Sequence, residues 1–139
     1  MSAAERPTDM ADRSRGANVA LWVAQVLLAG YFGLVAANKL LGAPAEVDLF
    51  ADIGLGQWFR YVVGVVELVG AVGLLVPRLA GVAALGLAGV MVGATVTNLF
   101  VVTDGAVLAI QTGLLVVLFV LVAWGRWPRT RTLFARLSR

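Results

Sequence analysis

Four long runs of apolar residues, separated by short polar or turn-forming segments, dominate the 139-residue chain. At about 1.5 Å of rise per helical residue, each run is about as long as the roughly 30 Å hydrocarbon core of a bilayer is thick. The pattern predicts helices at about 18–40, 60–76, 80–102 and 106–124. We therefore expect an all-α membrane protein, a four-transmembrane-helix bundle with antiparallel up-down topology, over residues 18–125.

The segments outside these runs differ from them in composition. Residues 1–17 mix basic, acidic and small side chains, which predicts a disordered polar tail. Residues 126–139 carry five arginines, with leucine and phenylalanine at helical spacing, which predicts a basic amphipathic helix on an anionic leaflet. In the loop at 41–59, the stretch from Pro44 to Gly54 has an apolar stripe. We expect it to form a short interfacial helix that lies on the membrane or caps the bundle.

Basic residues are distributed unequally between the two sides of this predicted bundle. Nine of the eleven lie in the 1–17 tail, in the 126–139 tail, or at Arg78 in the turn after the second helix. The other two are Lys39 and Arg60. The positive-inside rule then predicts that both termini are cytoplasmic.

Histidine and cysteine are both absent from the chain. Their absence excludes disulfides, thiolate and histidine-ligated metal sites, bis-histidine haem and Ser-His catalysis. We expect neither a metal site nor a covalently bound cofactor. The features of a nucleic-acid surface are missing too, namely a folded basic face with base-reading or stacking side chains, so no nucleic-acid partner is expected.

One carboxylate, Glu67, lies inside an otherwise apolar helix. Its neighbours on the same helical face, Gly64 and Ala71, are small, which favours an inward-facing position beside another helix. A charge at this depth is costly and usually faces a protein interior or a wet cavity. Two interpretations remain open: a proton-exchanging or ligand-binding carboxylate, and a structural carboxylate whose hydrogen bonds fix the helix register.

The other polar residues of the predicted helices concentrate in the half that faces away from the termini. Besides threonines, they include Tyr31, Asn38, Lys39, Arg60, Asn98 and Gln111. The opposite half is apolar except for Gln25. We predict a cavity that is open toward the outer face, with Glu67 at its floor and these six residues completing a ligand site. For Lys39 and Arg60 the favoured alternative is snorkelling to the headgroups, and for the amide side chains it is hydrogen bonding between helices.

Small residues recur on the first and third predicted helices, at Gly30, Gly33, Gly86, Gly89 and Gly93. Such ridges let helices approach closely. They fit either the interior of the monomer or the interface of a homo-oligomer.

Several motifs, taken in order, resemble the DoxX and DoxX-like membrane proteins. They are Ala37-Asn38-Lys39-Leu40, Phe50 before Gly54-Leu55, the run from Val63 to Gly70, the run from Gly73 to Arg78, and Thr97-Asn98-Leu99. The most specific is the Gly-x-x-Glu-x-x-Gly pattern around Glu67, which leads into Leu-x-Pro-Arg, and the likeness covers about residues 18–125. The chain departs from the pattern at Asn98, where many relatives carry histidine, which argues against a role that needs an imidazole.

The resemblance implies a four-helix bacterial inner-membrane protein associated with redox or oxidative-stress systems. It matches Lys39, Glu67, Arg78 and Asn98 to polar positions that recur in the family. Relatives include small subunits of a thiosulfate–quinone oxidoreductase and partners in membrane-tethered oxidoreductase assemblies. The expected function is a subunit that binds a quinone or another hydrophobic small molecule, acts beside a redox protein partner, and is not an enzyme on its own. Two alternatives stay open: a small proton-coupled transporter that works as an oligomer, and a non-catalytic membrane scaffold for partner proteins.

Overall fold

The computed structural model describes residues 7–139, with side chains from residue 14 onward. The regular structure in this range is helical: α1 Pro7–Leu41, α2 Pro44–Ile53, α3 Gln57–Leu74, α4 Ala80–Phe100 and α5 Ala106–Leu137. Over the described residues, α1, α3, α4 and α5 are long and apolar enough to cross a membrane. The prediction of an all-α bundle with four membrane-spanning helices is confirmed.

The four long helices form a closed ring in which each runs antiparallel to its neighbours in sequence. α1 packs on α3, α3 on α4, and α4 on α5, while α5 returns to α1. We call the end of the bundle where α1 and α4 finish the cavity end, and the end where α3 finishes and α4 begins the packed end. The short α2 lies across the cavity end, between α1 and α3.

An apolar core fills the bundle from its middle to the packed end. Phe32 and Phe119 meet edge to face, with ring centroids 5.0 Å apart, and both rings are buried together with Leu74 and Leu87. A Cβ added at Gly70 of α3 would come within 2.7 Å of the Leu87 side chain. The absence of a side chain at this glycine therefore lets α3 and α4 approach closely.

α1 extends beyond its predicted start. It begins at Pro7 instead of near residue 18, so the predicted disorder of the 1–17 tail is wrong from residue 7 onward. Residues 1–6 lie outside the described residues. Proline is well suited to the first turn of a helix, and residues 8–15 contain neither proline nor glycine, so the polar composition of this stretch does not prevent it from continuing the helix.

α5 also extends beyond its predicted end. It runs without a break to Leu137, whereas the sequence predicted an end near residue 124 and a separate amphipathic helix at 126–139. Proline within a helix removes one backbone hydrogen bond, yet Pro128 lies between two residues, Arg126 and Thr130, that are buried. Tertiary packing on both sides of Pro128 thus keeps the helix continuous. The remaining helix bounds agree with the prediction to within three residues.

The predicted glycine ridges are not used inside the monomer. A Cβ placed at Gly30, Gly33, Gly86, Gly89 or Gly93 would meet no atom of another helix within 4 Å among the described residues. The close helix approaches occur at other glycines, such as Gly70. A homo-oligomer interface at these ridges stays a prediction.

Candidate functional site

A cavity of about 430 Å³ lies among the helices at the cavity end of the bundle. Its walls are mainly aliphatic and aromatic, and its polar lining consists of Tyr31, Lys39, Glu67, Thr97, Asn98, Gln111 and Thr112. Five of the seven residues predicted to form the ligand site therefore meet at one cavity. Asn38 and Arg60 do not line it.

The centre of the polar lining is an ion pair between α1 and α3. The Lys39 Nζ lies 3.2 Å from Glu67 Oε2 and 3.6 Å from Glu46 Oε2, which belongs to α2. Glu67 is 2% exposed and Lys39 is 8% exposed. Snorkelling of Lys39 to the headgroups is therefore wrong, because two carboxylates hold its ammonium inside the protein. We call Lys39, Glu46 and Glu67 the carboxylate triad.

Close packing of α1 on α3 brings the members of the triad together. A Cβ at Gly64 would lie 3.2 Å from the Lys39 Cβ and 3.1 Å from the Leu40 side chain. Glu67 follows Gly64 by three residues, so it lies on the same face about one turn deeper. The small residues on this face have the role that the sequence predicted, and the carboxylate faces inward.

Arg60 stabilises the connections around the cavity without contacting it. Its Nη1 donates to the carbonyl oxygen of Lys39 at the end of α1, and its Nε donates to Gln57 Oε1 over 2.7 Å. Gln57 Nε2 in turn donates to the Val47 carbonyl oxygen of α2 over 3.0 Å. The last carbonyls of a helix lack partners within it, so Arg60 caps α1. Its predicted snorkelling is wrong, since it is 4% exposed, and the structure does not place it among the residues that line the cavity.

Asn38 does not line the cavity. The cavity-lining residues of α1 at this end are Tyr31, Val35 and Lys39, which follow the helical spacing of four residues. Asn38 is one position off this face and is exposed. At this end of α1, Lys39 and not Asn38 therefore joins Tyr31 and Val35 at the cavity.

Asn98 is a buried residue at the cavity, and its side-chain amide has no hydrogen-bond partner among residues 14–139. Asn98 is 8% exposed, lines the cavity, and its side chain forms no hydrogen bond within residues 14–139. Its backbone is fixed by the next turn, because Gly105 lies so close to the Asn98 carbonyl that a Cβ would clash with it. The structure thus holds the position of Asn98 while its side-chain donors and acceptor remain available.

Most other polar groups of the lining are satisfied locally. The Thr95 hydroxyl donates to Thr112 Oγ1 over 2.8 Å, and the Thr97 hydroxyl donates to the Gly93 carbonyl over 2.9 Å. Gln111 Nε2 donates to the Tyr31 hydroxyl oxygen over 2.9 Å. The Tyr31 hydroxyl accepts this bond and retains its own proton for donation.

α2 closes the cavity with the apolar stripe that the sequence predicted. Leu49, Phe50 and Ile53 line the cavity, and the Phe50 ring packs against Phe59 of α3 with centroids 5.8 Å apart. Gly54 ends α2 with a left-handed φ of 79°, and its N–H is bonded to the last turn. Of the two positions considered for this helix, the structure shows the one that caps the bundle.

A second buried polar cluster lies near the packed end, and the sequence analysis missed it. Arg126 is 2% exposed; its Nε donates to Gln25 Oε1 and its Nη1 donates to Asn18 Oδ1 over 2.7 Å. Gln25 Nε2 donates to the carbonyl oxygen of Leu74 at the end of α3, and the guanidinium lies 5.3 Å from the centroid of the Trp22 ring. We call Asn18, Gln25 and Arg126 the arginine cluster.

The arginine cluster corrects two predictions. The half of the bundle nearer the termini is not apolar apart from Gln25, and Arg126 is not part of a basic surface helix. The sequence held a signal for this contact. An amide such as Gln25 in an apolar half needs a partner, and Arg126 is the first charged residue after the apolar run of α5.

Comparison with known proteins supports this description at the level of the family. The sequence model of the DoxX-like family matches residues 23–123. This range contains Lys39, Glu67 and Asn98 and most of the four long helices. No curated protein and no solved structure matches the chain.

Proposed function

The chain belongs to the DoxX-like family, and from this membership and the cavity at Glu67 we propose that it is a redox-associated membrane subunit that binds a quinone or another hydrophobic small molecule. The main observation in its support is Glu67, a buried charged group that is only partly hydrogen-bonded and lies at the floor of an apolar cavity. Ligand sites typically occupy about 300–1,000 Å³ and combine apolar walls with a few placed polar groups. At about 430 Å³, with an aromatic and aliphatic lining, this cavity falls within that range.

The residues of the cavity fit a quinone head. Its carbonyl oxygens need donors, and the Lys39 ammonium, the Asn98 amide and the Tyr31 hydroxyl can supply them. Glu67 Oε2 is buried and lies 3.2 Å from Lys39, but it makes no hydrogen bond of normal geometry within the described range. It can therefore accept a proton or a hydrogen bond from a hydroxyl of the ligand. A bound quinone would supply reversible uptake of electrons and protons, and the protein would hold its head and exchange the proton at Glu67.

A partner protein would supply the electrons. The chain has neither cysteine nor histidine, so we propose that it works beside a redox protein and catalyses no reaction on its own. The proposal includes the bacterial inner membrane, with both termini cytoplasmic and the cavity toward the outer face. It is supported by the nine basic residues on the side of the termini.

The same proposal includes two further partners, anionic lipids and a second copy of the chain. Four arginines near the end of α5, Arg129, Arg131, Arg136 and Arg139, are exposed and suit anionic headgroups, at about 1 kcal/mol each near a charged leaflet. The glycine stripe on α4, which consists of Gly86, Gly89 and Gly93, is open and leaves room for a second copy of the chain.

The packed end favours binding over transport. A transporter needs a site near the middle of the membrane that becomes accessible from both sides. Here the core beyond the cavity floor is closed by large buried side chains, among them Phe32, Phe119 and Leu74. This arrangement supports a site that is entered from one end or from the bilayer.

Native mass spectrometry with lipid extraction, on protein purified gently from its own membrane, tests the proposal. We expect a stoichiometric quinone or isoprenoid compound in the native protein and its loss in Glu67→Gln, with the fold intact. Glu46→Gln is the matched control, because Glu46 contacts the same ammonium but does not line the cavity, and it should retain the compound. An empty native protein, or equal retention in both variants, would contradict the proposal.

A further inference from the structure

A second hollow lies beside the cavity, on the outside of the bundle. This groove, of about 490 Å³, lies between α1 and α5 and is lined by Ala24, Leu27, Leu28, Tyr31, Gln111, Leu115 and Leu118. Three of these residues, Tyr31, Gln111 and Leu115, also line the cavity. The two hollows therefore meet at one boundary, and beyond it the groove is entirely aliphatic.

The groove runs from the cavity toward the packed end. Tyr31 to Ala24 on α1, and Gln111 to Leu118 on α5, each span seven residues, or roughly 10 Å along antiparallel helices. Leu27 and Leu118 are 67% and 45% exposed, so the groove is open on its lipid side. Its length and lining suit the first part of a hydrocarbon chain that then continues into the bilayer.

The boundary between the hollows is marked by one polar contact. Gln111 and Tyr31 are both exposed, and Gln111 Nε2 donates to the Tyr31 hydroxyl oxygen over 2.9 Å. Polar groups that face hydrocarbon need partners, and here each supplies the other. Because the hydroxyl keeps a free proton, this pair can contact a ligand that passes from the cavity into the groove.

We propose that the groove holds the hydrocarbon chain of the same molecule whose polar head lies in the cavity beside Lys39, Glu67 and Asn98. The ligand is then an amphiphile with a compact polar head and a long chain, and it enters sideways from the bilayer between α1 and α5. Because Tyr31, Gln111 and Leu115 line both hollows, their adjacency supports one molecule over two. This inference rests on the proposed ligand site at Glu67.

Photo-crosslinking tests the inference. The probe is a benzoquinone with a decyl chain that carries a diazirine at its end, added to the purified protein in lipid nanodiscs. Peptide mass spectrometry then locates the crosslinks. We expect them to concentrate on the groove residues of α1 and α5 and to disappear in Glu67→Gln. Decane with the same diazirine, which lacks the head, should label the lipid-facing surface without this concentration.

A pair of bulky substitutions keeps the test independent of the cavity. Leu118→Trp places a large ring in the groove, whereas Val117→Trp places it on an exposed position of the same helix outside both hollows. Displacing one or two methylene groups, at about 0.8 kcal/mol each, corresponds to a roughly tenfold loss. We expect labelling of the groove to fall by this factor in Leu118→Trp and to be unchanged in Val117→Trp.

The outcomes separate the two proposals. Crosslinks that depend on Glu67 but fall inside the cavity, or that are scattered over other lipid-facing residues, would overturn the groove and leave the ligand site standing. Groove crosslinks that persist unchanged in Glu67→Gln would assign the groove to independent lipid chains. Labelling that matches the headless probe everywhere would overturn both the groove and the ligand site.

Discussion

The two ends of the bundle each bury a positive side chain, but they surround it in opposite ways. At the cavity end, Lys39 lies between the carboxylates of Glu67 and Glu46, at 3.2 and 3.6 Å, beside a hollow of about 430 Å³. At the packed end, Arg126 has neutral amide partners, Gln25 and Asn18, and its surroundings are filled by side chains.

This difference distinguishes a candidate ligand site from polar side chains that have only a structural role. In the arginine cluster the polar contacts join helix ends, since Gln25 also binds the Leu74 carbonyl at the end of α3, and no ligand is needed to explain them. Each cluster has a buried atom without a hydrogen-bond partner in the described residues, Glu67 Oε2 in the carboxylate triad and Arg126 Nη2 in the arginine cluster, but of these two residues only Glu67 lines the cavity. We therefore interpret the buried polar groups beside the cavity as a candidate ligand site. The buried polar groups of the packed end, which adjoin no cavity, are interpreted as contacts that fix the helix register.

The largest effect should come from removing the cation of the carboxylate triad. Lys39→Met leaves two carboxylates close together without their shared partner, and we expect it to reduce the free energy of unfolding by about 3–5 kcal/mol, as for other broken buried ion pairs. Thermal or denaturant unfolding in a fixed detergent measures this loss. In the double variant Lys39→Met/Glu67→Gln, much of the stability should return because the deepest charge has been removed. Equal instability of the single and double variants would show that packing of the lysine stem, and not charge, holds this end together.

Removing the cation of the arginine cluster should reduce the free energy of unfolding by less. Arg126→Leu leaves neutral amides unpaired, which we expect to cost about 1–3 kcal/mol of unfolding free energy. Gln25→Leu should cost more, because it removes an acceptor from a buried guanidinium and a donor from the Leu74 carbonyl at once. Both variants should keep the ligand in the retention assay used for Glu67→Gln. Loss of ligand in either one, at unchanged stability, would extend the site to the packed end.

The hydrophobic pattern predicted the four helices and their up-down order because bilayer thickness and short turns leave few alternatives. The convergence of Lys39, Glu67, Asn98, Tyr31 and Gln111 was also predictable, since residues at equal depth in neighbouring helices come together. These predictions used one dimension, the depth along the helix axis.

The errors came from the direction in which side chains point and from contacts that cross the whole chain. Asn38 and Lys39 are adjacent in sequence and lie at almost the same depth, but their side chains point about 100° apart around the helix axis, and depth alone cannot distinguish them. The pairing of Arg126 with Gln25 joins residues that are 101 positions apart, and it depends on how α5 packs against α1. Arg60 was misjudged for the same reason, because a helix cap exists only once α1 and α3 have been placed side by side.

The smallest expected loss of unfolding free energy comes from adding a methyl group at the packed end. A Cβ at Gly81 of α4 would clash with the Thr130 side chain of α5, whose Oγ1 accepts a hydrogen bond from the Gly81 N–H over 3.2 Å. Overpacking of this kind typically costs about 1–3 kcal/mol, and we expect Gly81→Ala to lie near the lower end of that range, because one side chain can shift. Unfolding in detergent again provides the measurement.

Gly86→Ala on the same helix is the matched control for this last effect. Its added Cβ meets no atom of another helix within 4 Å in the part of the chain that the structure describes, so the change should be neutral or stabilising by up to about 1 kcal/mol, through the better helix propensity of alanine. Thr130→Ala, combined with Gly81→Ala, should recover part of the loss, because it removes the clashing hydroxyl. If Gly86→Ala were instead the more damaging change, then the open side of α4 would be covered in the assembled protein, and the glycine stripe would belong to an interface between copies.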